Sequence, residues 1–260
     1  MLRFTRPPSA LRIGNINPGG VAIGSTKVWP VASTAMLYMT GFGGLYTLDA
    51  TTGVATKIRT DNLFGIGELG TGLTSHNGVT YMVGSQHDAL YTLNTTTGDA
   101  TRVGSATQFG VSEFGPEGLT SHNGVLYMVG TVNAALFTLN TTTGVATRVG
   151  RATAFGVSES APTGLTSHNG VLYMVGRGND ALYTLNTTTG VATRVGRSTR
   201  FGVSESRPQG LASHNGVLYM IGNSNDALYT LNTTTGVATR VGSATNFGVG
   251  ERTPTGLTSL

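Results

Sequence analysis

The sequence contains no cysteine, only one tryptophan, and no acidic residue before Asp49. Without cysteine there is no disulfide framework, no thiolate metal site and no cysteine nucleophile. No apolar run reaches the roughly 18 residues that indicate a transmembrane helix. The first residues, MLRFTRPPSALRIGN, lack the apolar core of a secretory signal peptide. These absences exclude several classes of protein but leave the compartment undecided.

Charged residues are also scarce, at 11% of 260 residues, whereas glycine occurs 39 times. Abundant Gly, Thr, Val and Asn favour strands and tight turns over helices. The formal charge of +4 is concentrated near the start, where Arg3, Arg6, Arg12 and Lys27 precede the first acid. We therefore predict that residues 1–35 form a basic segment that packs on the folded domain or extends from it. The rest has no basic stripe with exposed aromatics, so no nucleic-acid partner is expected.

A repeat of 46 residues organises the rest of the chain. The tetrapeptide SHNG begins at Ser75, Ser121, Ser167 and Ser213, with a constant step of 46. The repeats 118–163 and 164–209 are identical except at eight positions of the first, namely 131, 132, 134, 137, 152, 154, 161 and 163. Such near-identity means that one supersecondary unit has been multiplied.

Each repeat has the pattern of four strands. The first strand, GLTS, is followed by a His-Asn-Gly turn, and the second, VLYMV, is apolar on both faces. The third strand, ALYTLN, leads into a TTTG turn. In the fourth, VATRV, residues of the two faces alternate as in a half-exposed outer strand. A variable link (SQHD, TVNA, RGND or NSND) joins the second strand to the third, and a longer loop containing F-G-[VI]-[SG]-E leads into the next repeat. Four antiparallel strands per repeat of this length are typical of a β-propeller blade.

The repeat count predicts an all-β, five-bladed β-propeller of 46-residue four-stranded repeats. The group of second to fourth strands occurs five times, and the GLTS-type first strand also occurs five times, lastly at Gly256–Leu260. The count balances if this C-terminal strand completes the first blade and closes the ring. The predicted propeller spans 36–260, with blades at 36–71 plus 256–260, 72–117, 118–163, 164–209 and 210–255. Alternatively, Trp29–Thr34 is the first strand of blade 1, which would leave Gly256–Leu260 free to enter a neighbouring molecule.

The F-G-[VI]-[SG]-E element gives each blade one aromatic and one acidic candidate for ligand binding. These pairs are Phe64 and Glu68, Phe109 and Glu113, Phe155 and Glu159, Phe201 and Glu205, and Phe247 and Glu251. An apolar ring beside a hydrogen-bonding carboxylate suits a sugar, and the variable links on the same face suit recognition. Asp88, Asp180 and Asp226, before the third strand, are further candidates. Alternatively, the Phe wedges between blades, the Glu caps loop amides and the Asp organises its turn.

Two further residue sets recur once per repeat. His76, His122, His168 and His214 lie on different blades without a second ligand nearby, so we predict turn residues and no metal site. Asn94, Asn140, Asn186 and Asn232 each begin a formal glycosylation sequon, and alternatively serve only as turn residues. His87 is a lone loop histidine without an assigned role, and no motif indicates a cofactor.

In architecture, Met36–Leu260 resembles the tachylectin-type five-bladed propeller lectins, whose sugar sites recur once per blade. The segment LYTLNTTTGVATRVG also resembles blade repeats of secreted and cell-surface propellers of unassigned activity. The resemblance implies a multivalent binding or adhesion module with lectin-like glycan recognition, located outside the cell or at its surface. The implied partners are glycans or cell-surface and matrix proteins.

Two other functions are alternatives to this prediction. A structural subunit of an extracellular filament or coat would assemble through terminal strands into a homo-oligomer. An enzyme is not expected, because the candidate residues repeat equally around the ring whereas catalysis needs one asymmetric constellation. Acids specific to one blade are few, namely Asp49, Asp61, Asp99 and Glu117.

Overall fold

A computed structural model describes residues 22–23, 26–27, 36–41, 44–58, 64–113, 115–250 and 253–260. The chain divides into two units, Met1–Ala35 and Met36–Leu260. In the first unit, β1 (Ala22–Ile23) and β2 (Thr26–Lys27) form an antiparallel pair. The role predicted for residues 1–35 stays a prediction, and the alternative first strand Trp29–Thr34 lies outside the described residues.

The second unit consists of five antiparallel sheets, each with four strands. Blade 1 contains β3 (Leu37–Gly41), β4 (Gly44–Leu48) and β5 (Ala55–Lys57); blade 2 contains β6 (Gly70–His76), β7 (Val79–Gly84), β8 (Ala89–Leu93) and β9 (Ala100–Arg102). Blade 3 contains β10 (Pro116–His122), β11 (Val125–Gly130), β12 (Ala135–Leu139) and β13 (Ala146–Arg148). Blade 4 contains β14 (Pro162–His168), β15 (Val171–Gly176), β16 (Ala181–Leu185) and β17 (Ala192–Arg194). Blade 5 contains β18 (Pro208–His214), β19 (Val217–Gly222), β20 (Ala227–Leu231) and β21 (Ala238–Arg240), and β22 (Pro254–Ser259) completes blade 1.

Short 3₁₀ turns are the only helical elements in the described part of the chain. They comprise Gln108–Gly110, Ala154–Gly156, Arg200–Gly202 and Asn246–Gly248. None of the described helices is long and apolar enough to cross a membrane. The predicted all-β class is therefore confirmed.

The C-terminal strand closes the ring within its own chain. Strand β22 pairs with β3, placing Leu257 opposite Met39 and Ser259 opposite Leu37. The amides of Met36 and Leu260 each donate to the carbonyl of the other at 3.0 Å. The predicted five-bladed ring with a C-terminal closing strand is confirmed. Strand β22 is consequently not a spare strand available to a neighbouring molecule.

The His-Asn-Gly turns follow from the backbone preferences of their residues. Asn123 has φ 48° and Gly124 has φ 75°, and the other described copies repeat these values within a few degrees. Two successive residues with positive φ define the type I′ hairpin turn, for which Asn-Gly is the preferred pair. The dipeptide therefore sets the register of the two innermost strands in each blade.

The first strand of each blade lies nearest the propeller axis and is called its inner strand. The inner strands β6, β10, β14, β18 and β22 each contact the next around the ring. The space between them is too small for a water molecule. A Cβ atom on Gly118 would lie 2.5 Å from the amide nitrogen of Leu165 in the next blade. Glycine at this position is therefore needed for the close approach of neighbouring backbones.

The hydrophobic core lies between adjacent blades. One buried cluster joins Tyr81 and Val83 of blade 2 to Leu126 and Phe137 of blade 3, with Phe109 between them. The other described junctions contain equivalent clusters. Each blade therefore buries both of its faces, which explains why the second strands are apolar on both sides.

Candidate functional site

The five candidate phenylalanines are buried inside the propeller. Phe64, Phe109, Phe155, Phe201 and Phe247 are each at most 1% exposed. Each adopts a positive φ of 51–55°, an unusual conformation for a bulky residue, and its ring fills the gap between two blades. A buried ring offers no face on which a sugar can stack.

The four described candidate glutamates are also fully buried and hold the variable links in place. The carboxylate of Glu113 accepts hydrogen bonds from the amides of Val132 (2.9 Å) and Asn133 (3.2 Å), and from the Asn133 side chain (2.8 Å). Glu159 and Glu205 bind the links of blades 4 and 5 in the same way. Glu251 lies outside the described residues.

In blade 2, a histidine side chain of the link bonds to the buried glutamate. Glu68 accepts hydrogen bonds from the Tyr91 hydroxyl at 2.7 Å and from Nδ1 of His87 at 3.1 Å. Burial, followed by this bond to Glu68, raises the pKa of Tyr91 far above its usual value. The imidazole of His87 remains about half exposed.

The candidate aspartates occupy turn positions with positive φ, from 44° at Asp226 to 48° at Asp88. Oδ1 of Asp88 accepts a hydrogen bond from the Gly115 amide at 3.1 Å. Burial raises the pKa of Asp180. This geometry agrees with the structural alternative for Phe and Glu, whereas Asp88 bonds to the following between-blade loop rather than within its own turn. A ligand-binding role for these candidates stays a prediction.

The recurring histidines end the inner strands and link neighbouring blades. Nδ1 of His122 lies 2.8 Å from the Ser167 hydroxyl of the next blade, and Asn123 donates to its Nε2. Because Nε2 accepts, the proton must reside on Nδ1 and be donated to serine. The same arrangement occurs at His76, His168 and His214. These residues are therefore inter-blade contacts at the ends of strands rather than turn residues.

The sequon asparagines organise their turns. Oδ1 of the exposed Asn140 accepts hydrogen bonds from the amides of Thr142 and Thr143, both at 2.9 Å. The other three copies repeat this pattern. The turn role is therefore observed, and glycosylation stays a prediction.

A set of polar side chains, called the inner polar ring, recurs at the starts of the inner strands, which contact one another around the ring of blades. This inner polar ring consists of the residue before each inner-strand glycine, namely Thr71, Glu117, Thr163, Gln209 and Thr255. Each threonine hydroxyl donates to a backbone carbonyl of the next blade, as Thr163 does to Pro208 at 2.7 Å. Glutamate and glutamine replace threonine in blades 3 and 5, so the ring is chemically asymmetric.

Glu117 is the acidic member of this ring, and its side chain is only partly exposed. Protein surrounds the carboxyl closely enough that desolvation raises its pKa to about 8, although the positive charge of Arg177 partly opposes the shift. Glu117 is therefore mainly protonated at neutral pH. Arg177 itself is an exposed residue of the blade 4 link, and its amide donates to the carbonyl of Ala161 at 2.9 Å.

The sequence pattern indicates Glu117 only as an acid specific to one blade and does not distinguish Gln209 or Arg177 as candidates. A usable signal was present in the repeats. The residue before each inner-strand glycine reads T, E, T, Q and T, and the first residue of each link reads S, T, R and N in blades 2 to 5. Only the folded chain shows that the first link residue lies beside the start of the inner strand, where its amide donates to the carbonyl of the residue two places before the ring position.

No protein-family model and no curated protein matches the sequence. Solved structures resemble it in fold. A chain of a nidogen/laminin complex is 11% identical with a TM-score of 0.56, over 86% of this chain and 98% of that one. Glutaminyl cyclase from Myxococcus xanthus is 16% identical (TM-score 0.48, 85% and 73% covered), and virginiamycin B lyase from Staphylococcus aureus is 13% identical (TM-score 0.48, 84% and 73% covered). At these identities the likeness shows the fold alone.

The sequence argument that excluded an enzyme is wrong, because solved propellers that resemble the chain in fold include a glutaminyl cyclase and a lyase. The argument from repetition fails because near-identical blades still differ at single positions. Glu117, Arg177 and His87 each occur in only one blade. The two enzymes transfer no activity to this chain, since their TM-scores lie below 0.5.

Proposed function

We propose that the chain is a recognition module that binds a protein partner through the variable links and the inner polar ring. One observation carries this proposal. Of the eight differences between the repeats 118–163 and 164–209, five lie in the links or within three residues of the inner-strand glycine that follows. The buried frame beneath these positions is almost unchanged between the two repeats.

The links combine exposed side chains with a rigid backbone, which favours recognition. Val132 is 58% exposed at the surface of blade 3, whereas the backbone amide of the same residue is held by buried Glu113. Arg177 and Gly178 occupy the equivalent positions of blade 4, where Glu159 holds the amide of Gly178 at 3.0 Å. A rigid frame lowers the conformational entropy lost on binding, because the loops need not be ordered by the partner.

The chemistry of the exposed groups favours a protein over a glycan. Among the described residues every phenylalanine is buried, and Tyr38 is the only tyrosine that is not. The described link positions therefore supply amide, hydroxyl, guanidinium, carboxylate and aliphatic groups, and the one aromatic ring among them is the half-exposed imidazole of His87. Lectin-like glycan recognition, which the sequence pattern suggested, remains the second candidate because the sites recur from blade to blade. An extracellular or cell-surface location is part of the proposal.

The test is a variant in which all four described links become identical. Exchanging the other links for NSND, the link of blade 5, preserves or introduces the asparagine that bonds the buried glutamate. Wild type and variant are screened against a displayed library of extracellular protein domains and against a glycan array. We expect wild type to select a protein domain and the link variant to lose at least about tenfold in affinity, or about 1.4 kcal/mol.

The matched control carries substitutions on the opposite, constant turns. Thr142→Ser, Thr188→Ser and Thr234→Ser change exposed residues there, and this triple variant is expected to bind as wild type does. Equal binding by wild type and the link variant would overturn the proposal. Selection of a glycan and no protein domain would replace the protein partner by a sugar.

A further inference from the structure

One between-blade loop carries more positive charge than its counterparts. The loop from blade 4 to blade 5 begins with Arg194, at the end of β17, and continues through Arg197 and Arg200. All three arginines are exposed. In the other described loops of this kind, the positions of Arg197 and Arg200 are taken by Ser105 and Gln108, Arg151 and Ala154, and Ser243 and Asn246. The blades are otherwise near-identical, so this loop is chemically distinct.

A hydrogen bond holds the first of these cations against the loop that carries the other two. Nη2 of Arg194 donates to the carbonyl of Ser198 at 2.8 Å, so its guanidinium lies beside the residue that follows Arg197. Ser198 donates its hydroxyl to the carbonyl of Thr235 in blade 5 at 3.1 Å, a bond that the alanines at the equivalent positions cannot make. Phe201, next to Arg200, is buried between blades 4 and 5. The loop is thus fixed at three points, which holds its charges in place before a ligand binds.

In the described part of the chain, no carboxylate pairs with these arginines. The guanidinium groups of Arg197 and Arg200 have no hydrogen-bond partner there, and the one ion-pair contact of the described residues does not include them. Glu205, the only acid of the loop, is fully buried and accepts hydrogen bonds from the amides of the blade 5 link. Burial raises the pKa of Asp180 and the charge of Arg200 opposes this shift, but the two side chains form no ion pair. The loop therefore presents three positive charges to the solvent.

The remaining exposed groups of this loop are small and polar. Phe201 is its only aromatic residue and is buried, and no large apolar residue between Arg194 and Glu205 is exposed. The loop therefore offers no ring on which a nucleic-acid base can stack and no apolar side chain that can insert into a lipid bilayer. Recognition here must depend on charge and on N–H donors. A hydrophilic chain with repeated anionic groups meets these conditions.

We propose that Arg194, Arg197 and Arg200 form a binding site for a linear sulfated polysaccharide. Guanidinium groups carry paired N–H donors that match the oxygens of an anionic group such as sulfate. Three cations in one fixed segment bind neighbouring sulfate groups of the same chain and release its counterions, so affinity falls as salt is added. Ser198 contacts a constant turn of blade 5 rather than a variable link. The inference therefore goes beyond the recognition function proposed above and does not depend on it.

The site is tested with heparin as the sulfated probe and hyaluronan, which carries carboxylates but no sulfate, as its counterpart. Binding to the full chain is measured by calorimetry at several salt concentrations. We expect saturable binding of heparin that weakens as salt is added, and at least about tenfold weaker binding of hyaluronan because its charge density is lower. Tighter binding of hyaluronan than of heparin would overturn the assignment to sulfate.

The repeats supply substitutions that the fold already accommodates. Arg197→Ser combined with Arg200→Asn introduces the residues of the loop that follows blade 5, and this double variant should bind heparin at least about tenfold more weakly. Because two ligand-binding cations are lost, the slope of log affinity against log salt concentration should fall by about two. The matched control, Arg151→Ser combined with Arg177→Asn, removes two exposed positive charges elsewhere and also uses residues of blade 5. It should bind heparin as wild type does.

A graft tests whether the loop is sufficient. Ser105→Arg, Ala106→Ser and Gln108→Arg build the same loop after blade 2, where Arg102 is already present. Added to the double variant, the graft should restore heparin binding. A folded graft that does not restore binding would contradict the site.

Other outcomes are also decisive. Equal losses in the double variant and its control would show that overall charge rather than this loop binds heparin, and would overturn the site. The absence of heparin binding by the folded wild type would do so too, and tighter binding of single-stranded DNA than of heparin at the same salt concentration would overturn the polysaccharide assignment. The link variant described above retains this loop and should bind heparin as wild type does. A sulfated glycan bound through the loop is therefore distinguishable from a ligand bound through the links.

Discussion

Nδ1 of His87 lies 3.1 Å from the buried carboxylate of Glu68, in the place that the Asn133 side chain takes beside Glu113 in blade 3. A fully buried carboxylate therefore holds the link in each blade whose glutamate is described, while the surface residue that bonds to it varies. This arrangement separates the stability of the frame from the chemistry of the surface. The first prediction tests that separation.

Replacing Glu68 should be costly, whereas replacing His87 should not. Glu68→Gln puts amide hydrogens where several donors need an acceptor, so we expect unfolding free energy to fall by about 2–4 kcal/mol. His87→Asn introduces the side chain that bonds to glutamate in other blades, and should change stability by less than about 1 kcal/mol. Urea denaturation measures both. A Glu68→Gln variant as stable as His87→Asn would refute this account of the frame.

Gly118 and Gly124, both in blade 3, should respond differently to alanine. A Cβ at Gly118 would meet the backbone of Leu165, which cannot move without displacing β14, so we expect Gly118→Ala to cost about 3 kcal/mol or more. Gly124 has φ 75° with nothing within 4 Å of the added atom, so Gly124→Ala should cost only about 1–2 kcal/mol of backbone strain. Thermal unfolding of the two variants decides the order, and an equal or reversed order would contradict it.

Deleting residues 254–260 should open blade 1. The deletion removes β22 and uncovers the buried Leu37 and Met39 beside it, so we expect a lower midpoint of thermal unfolding. Adding the synthetic peptide PTGLTSL should restore part of the midpoint in a concentration-dependent way, because a ligand that binds only the folded state stabilises it. A peptide with Leu257→Asp is the control. An unchanged midpoint after deletion would show that the C-terminal strand does not stabilise the ring.

Stability should decrease as the pH falls below about 6.5. Burial lowers the pKa values of His168 and His214, so the folded chain resists protonation that the unfolded chain accepts near pH 6.5. The unfolded state binds more protons in this range, and acidification therefore favours it. Urea midpoints across this range should fall more for wild type than for His168→Gln combined with His214→Gln. Parallel curves would exclude these two histidines as the cause.

Glu117 should have the opposite dependence. Its pKa is about 8 in the folded chain against an ordinary value of 4.5, so the folded state binds more protons between these values. Its stabilising contribution is complete below pH 4.5 and is lost as the pH rises through 8. Glu117→Gln should therefore gain stability relative to wild type as the pH increases through this range. A constant difference between the two proteins would contradict the raised pKa.

Much of the fold could be predicted because its signals are local and repeated. Asn-Gly at Asn123 and Gly124 specifies a type I′ turn through backbone preferences alone, and the five GLTS-type strands fix the number of blades. The partial repeat at the C-terminus indicated how the ring closes. Copies of one unit can bury their faces only against one another, so the repeat count leads directly to the architecture.

The candidate site could not be predicted to the same extent, because exposure is not a local property. Phe155 and Glu159 are an aromatic and an acidic residue of the kind that binds a sugar. The positive φ of Phe155 directs its ring into the space between two blades, and the amides of the link bind the carboxylate of Glu159, so neither side chain faces the solvent. Glu117 and Arg177 are 60 residues apart in the sequence, and only the folding of neighbouring blades brings the charge of Arg177 close enough to lower the pKa of Glu117. The amino-acid sequence by itself determined the repeated unit, its strands and its number. Only the tertiary structure decided which side chains reach solvent and which charges meet, since burial and proximity arise from packing between blades.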